Sequence, residues 1–104
     1  MSALDDKLGE IAAQYDAVQA DLGRPEVLAD PSEIRRLGQE LSRLEPVVEA
    51  FRRLEATRAE LAGAREMRDT AEGDEELRAM AREEIDSLEA DETRLVEELK
   101  VLLL

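Results

Sequence analysis

Apolar residues recur along this chain at alternating intervals of four and three. The first run, Leu4, Leu8, Ile11, Tyr15, Val18 and Leu22, falls on one face of a helix. Ser2 with Asp5 three residues later forms a capping pair, a variant of the Ser-x-x-Glu box. Gly23 and Pro25 close the run, which predicts a first helix over residues 3–22. A connector, RPEVLAD, then leads to Asp30-Pro31-Ser32-Glu33. There Asp30 is placed to accept from an amide of the first turn, Pro31 suits the first helical position, and Glu33 can reach back to the cap.

The second run, Ile34, Leu37, Leu41, Leu44, Val48 and Phe51, keeps its phase straight through Pro46. A proline in a helix interior removes one hydrogen bond, here to Ser42, and its ring clashes with that carbonyl, costing about 3 kcal/mol. The expectation is a break or sharp kink between Ser42 and Glu45, giving helices over 31–44 and 46–72. Beyond Pro46 the stripe continues as Phe51, Leu54, Leu61, Ala64 and Met67, with Thr57 or Arg58 diluting one turn. Gly73 stops this helix, and Asp74 caps the next, with Glu75 and Glu76 in its favourable first turn. The last helix, over 74–103, carries Leu77, Met80, Ala81, Ile85, Leu88, Leu95, Leu99 and Leu102. From Ile85 onward its seam is a heptad, interrupted by Glu92. No strand alternation and no repeat of 20–50 residues is present. The fold class expected is all-α: an elongated antiparallel hairpin or bundle of three to four helices with coiled-coil character, with residues 72–74 at the hairpin tip.

Composition sharpens this picture. A length of 104 residues suits one domain, and with Tyr15 and Phe51 as the only aromatics the core must be aliphatic. Twenty-seven acidic against 14 basic residues give a formal charge of -13, which repels a phosphate backbone and argues against a direct grip on nucleic acid. A chain so acidic could be disordered, but 43% hydrophobic content at regular spacing argues against that. Without Cys or His the chain has no disulfide, no thiol nucleophile, no usual zinc ligand set and no usual general base. Asp5 and Asp6 stand where a signal peptide would be basic, and no apolar stretch approaches roughly 18 residues. A cytoplasmic protein off the membrane is expected.

Candidate chemistry is sparse. The adjacent pairs Asp5-Asp6, Glu75-Glu76, Glu83-Glu84 and Glu97-Glu98 point about 100° apart on a helix, so they do not converge on one atom. Di-iron bundles pair such glutamates with His, and EGDEEL places helix formers where a calcium loop should turn. No metal, cofactor or catalytic residue is assigned. Glu49 precedes Arg52 and Arg53 in the order that supports a helix surface, and Arg35, Arg36 and Arg43 are interleaved with Glu33, Glu40 and Glu45. Glu72, Gly73 and Asp74 are the candidates for partner contact, set against the plainer reading that Gly followed by Asp is stop-and-cap chemistry.

Three stretches together carry a resemblance. RPEVLADPSEIRRLGQELSRLEPVVEAFRRL resembles the amino-terminal region of bacterial class I peptide chain release factors, and EEIDSLEADETRLVEELKVLLL resembles the long helix that leads out of it. LEPVVEAF and ELKVLLL look more like the branch that reads UAA and UAG than like its sister branch. The resemblance covers nearly all of residues 1–104 and implies an amino-terminal helical domain. It implies a place near the stalk base of the large ribosomal subunit, beside the L11 protein region, with the recycling GTPase release factor 3 as a further neighbour. It also implies that the apolar run Val101 to Leu104 is a junction into central and catalytic domains. The family's hydrolytic Gly-Gly-Gln loop has no counterpart here beyond Gly38-Gln39, and its Pro-x-Thr codon reader has none after Pro25, Pro31 or Pro46. No catalytic or codon-reading role is carried over. The alternative, from periodicity alone, is a free-standing coiled-coil scaffold or chaperone-like hairpin whose leucines pair with copies of itself.

Overall fold

The computed structural model of the protein describes residues 2–104. Among the described residues there are four helices: α1 (Ala3–Leu22), α2 (Pro25–Leu28), α3 (Pro31–Thr70) and α4 (Glu75–Leu102). The all-α expectation holds. The chain forms two compact units, and the division falls inside α3, between Glu49 and Ala50.

In the first unit, Ser2 Oγ accepts from the Asp5 amide at 3.0 Å and starts α1 as its sequence predicts. Leu8, Ile11, Tyr15 and Val18 of α1 are buried, as are Leu37, Leu44, Val47 and Val48 of α3. Gln14 Nε2 donates to Glu40 Oε1 at 2.8 Å, tying the two helices at their polar edge. The connector between them is not wholly irregular, since Pro25 opens the single-turn α2 with its fixed φ. At the start of α3, Asp30 Oδ1 accepts from the Ser32 amide at 3.1 Å, the Ser32 hydroxyl at 2.8 Å and the Glu33 amide at 3.4 Å. Glu33 does not reach back to close a capping box. Its carboxylate is taken by the fork of Arg36, at 3.1 and 2.8 Å.

In the second unit the rest of α3 pairs with α4. Arg53 meets Glu98, Arg58 meets Glu92 and Arg65 meets Glu89, at 3.2, 3.0 and 3.1 Å. Numbers rise along α3 as they fall along α4, so the two form an antiparallel hairpin. Leu54, Leu61 and Ala64 of α3 are buried with Ala81, Ile85, Leu88, Leu95 and Leu99 of α4. Leu61, Ala64, Ile85 and Leu88 form one tight cluster of that core. Glu92, the polar interruption of the α4 heptad, and Arg58, beside the diluted turn of α3, answer each other as a half-buried ion pair. One layer of the seam is therefore ionic.

Of the break or sharp kink expected at Pro46, the break does not occur. α3 runs from Pro31 to Thr70 with Pro46 inside it, so the predicted boundary between residues 44 and 46 is corrected to a continuous helix. Ser42 and Pro46 are both exposed, so the carbonyl that loses its partner lies on the solvated face of the helix. Val47 and Val48, directly after the proline, are buried, each worth about 1.5–3 kcal/mol, enough to offset a cost of about 3 kcal/mol. Packing overrides propensity. The hairpin turn is also longer than predicted, with α3 ending at Thr70 and α4 beginning at Glu75, because Ala71 and Glu72 belong to the turn. Pro46→Ala should raise the thermal midpoint without changing the helix boundaries, with a ceiling near the ~3 kcal/mol propensity difference. A lowered midpoint in circular dichroism melts would show that Pro46 is required by the fold.

Candidate partner-binding surface at the hairpin end

Residues 71–74 form the turn of the second unit. Gly73 has φ +77°, the left-handed region in which a side chain is strained, and Asp74 Oδ1 accepts from the Leu77 amide at 2.9 Å. Glu72, Gly73 and Asp74 are all exposed. Two of these three residues thus have local duties: Gly73 makes the turn and Asp74 caps α4.

The flanks beside the turn differ chemically. Met67 and Met80, 48% and 62% exposed, line a depression of about 290 Å³ with Ala64, Ala81 and Glu84. Arg68, Arg78 and Arg82 line a second depression of about 300 Å³ with Asp69. Two residues along a helix turn by about 200°, so Met80 and Arg82 point to opposite flanks of α4. Arg68 is tied to Asp69 at 3.0 Å and Arg78 to Glu75 at 3.5 Å. Sequence reasoning assigned both methionines to the buried stripe, and the structure corrects this. The signal was available: Ala50, Ala64 and Ala71 are buried at heptad spacing with Thr57 half-buried between them, which puts the seam on alanines and leaves Met67 at its edge.

Among the described residues no three carboxylates are grouped to hold a metal. Arg36 and Arg43 form local pairs with Glu33 and Glu40, both at i,i+3. Arg53 meets Glu98 of α4, reaching across the hairpin. The perturbed carboxylates lie in the first unit. Hydrogen bonds from Ser32 and the Glu33 amide hold Asp30 below its ordinary range, and Arg36 and Arg43 do the same for Glu33 and Glu40. These are structural pairings on an exposed surface.

Residues 11–104 match the family model of the PCRF domain. The chain belongs to the PCRF-domain family. As a PCRF domain it is 40% identical over 98 residues to a protein named peptide chain release factor 1 from Oleidesulfovibrio alaskensis, covering 94% of this chain. It is 38% identical over 99 residues to the protein of the same name from Geobacillus kaustophilus, covering 95% of this chain. The chain spans about a quarter of those relatives, 27% of each. No solved structure matches this chain significantly.

Two expectations follow from the local geometry. Gly73→Ala meets no steric obstacle but must hold φ +77°, so it should cost about 1–2 kcal/mol in urea melts, while Gly73→Asn costs less. An equal cost for both would refute a backbone origin. A carboxylate whose folded pKa is lowered adds stability above its unfolded pKa and loses it as pH falls through the folded one. Helix stability should accordingly retain an acid-sensitive component below the ordinary carboxylate range. Asp30→Asn keeps a capping oxygen but should remove part of that component, read from melts across a pH series.

Proposed function

We propose that this PCRF domain is the amino-terminal helical domain of a release factor 1, a cytoplasmic factor that directs translation termination at UAA and UAG. The observation that carries the reading is identity of 40% and 38% to two proteins named peptide chain release factor 1, over 94% and 95% of the chain. Within that factor the domain acts as a protein-contacting arm. It touches the stalk base of the large ribosomal subunit at the L11 protein region and helps accommodate the factor, with release factor 3 as a second neighbour. The charge of -13 supports a protein partner over ribosomal RNA. Chemistry falls to other parts of the factor, because no Gly-Gly-Gln tripeptide occurs in this sequence.

The test is a salt titration of the domain against the L11 protein and, separately, against stalk-base RNA. Binding to the protein is expected, with RNA affinity very weak and flat or improving as salt screens repulsion. Tight RNA binding that falls steeply with salt, and none to the protein, refutes the reading. In a termination assay the isolated domain should release no peptide.

A further inference from the structure

The methionine flank of the hairpin end is a docking groove, and we infer that it takes the apolar face of a basic amphipathic helix from a protein partner. This deepens the proposed function by naming the chemistry of the partner, and it rests on that reading only for where such a partner is met.

Met67 and Met80 come from opposite helices and stand at the two sides of one depression floored by Ala64 and Ala81. Their exposure is large for apolar side chains, and no polar or charged residue is buried among the described residues to displace them. Methionine has an unbranched, polarizable thioether that adapts to varied apolar partners, which makes a pair of them suited to a groove that must mould around another side chain. The small floor leaves room for it.

Charge selects the occupant. Around Met80, the neighbours three and four residues away are Glu76, Leu77, Glu83 and Glu84, and around Met67 they are Gly63, Ala64, Thr70 and Ala71. Glu84 lines the groove itself, Glu76 and Glu83 lie one helical turn from Met80, and no cation is in its lining. The arginines of this end, Arg68, Arg78 and Arg82, line the other depression. An acidic or neutral helix would gain burial at the methionines but meet repulsion at the rim, whereas a basic one gains both. A second copy of this chain carries the same acidic rim and is disfavoured. Helix-in-groove recognition of this kind reads apolar anchors at i, i+3 or i+4, matched here to one apolar slot with charged edges.

The chain has three methionines, so methionine-methyl NMR reports the groove directly. The probe is a synthetic helix of about 18 residues with Leu at helical spacing and Lys elsewhere, long enough to hold a helix when docked. Its controls are a scrambled isomer and oligolysine. The Met67 and Met80 signals should shift on adding the amphipathic peptide, and little with either control. Met67→Ser combined with Met80→Ser removes only exposed side chains. It should preserve the melt and weaken peptide binding about tenfold. Equal shifts with the controls, no shift at all, or unchanged affinity in the double variant would overturn the inference. Concentration-dependent shifts without peptide would overturn it too, by naming a second copy as the occupant. Loss of L11 binding in the wild-type chain, with peptide binding retained, would strike the proposed function and spare the groove. L11 binding unaffected by the double variant, with no peptide binding, would do the reverse.

Discussion

Everything in this fold hangs on a narrow aliphatic seam. With two aromatics in 104 residues, and no buried polar or charged side chain among the described residues, burial of Leu, Ile, Val and Ala is what offsets the entropy of ordering the helices. An amphipathic helix in isolation is marginal, because most helical stability in proteins comes from packing its apolar face. The continuity of α3 through Pro46 follows from the same source: Val47 and Val48 are buried directly after the proline, while Ser42 and Pro46 are exposed. The proline weakens a helix that its neighbours hold in place.

The seam also decides what the charges do. Because the core spends no polar groups, the charged residues lie on the outside or at its margins. There they form short-range pairs such as Arg36 with Glu33 and cross-helix pairs such as Arg65 with Glu89. Exposed pairs contribute little each, about 0.2–1 kcal/mol, and their value is in register. Arg53–Glu98, Arg58–Glu92 and Arg65–Glu89 march along the hairpin and oppose a slip of α4 against α3. The Arg58–Glu92 pair is the most buried of them and sits where Glu92 interrupts the heptad of α4.

Periodicity made most of the fold legible. The ends of α1, the cap at Asp74 and the stripe Leu8, Ile11, Tyr15 and Val18 could be read directly, since each depends on residues within one turn. What could not be read depends on residues far apart. Whether α3 survives Pro46 is decided by burial at Val47 and Val48, and α2 is a single turn too short to carry a period. The phase of the hairpin seam was misjudged at Met67 because methionine looks more apolar than alanine. The seam follows Ala50, Ala64 and Ala71, small residues that carry a weak hydrophobic signal. Of the surface at the hairpin end, the turn residues were visible in sequence as Gly73 and Asp74, while the groove was hidden by that same misreading.

The exposure of Met67 and Met80 bears on function. A sequence under pressure only to close this hairpin has no reason to keep Met67 and Met80 at the edge of an alanine seam, where both stay largely exposed. Charged or polar residues there would be cheaper in solubility, and the opposite flank has them in Arg68 and Arg82. The hairpin end is therefore asymmetric in a way that its own folding does not require. Gly73 and Asp74 are explained by the turn and Arg65 by its partner Glu89, whereas the apolar slot between Met67 and Met80, with Glu84 in its lining, has no such local duty. A surface that the fold leaves unexplained is where a partner's requirements are written, and its chemistry, apolar at the centre and acidic at the rim, specifies the complement.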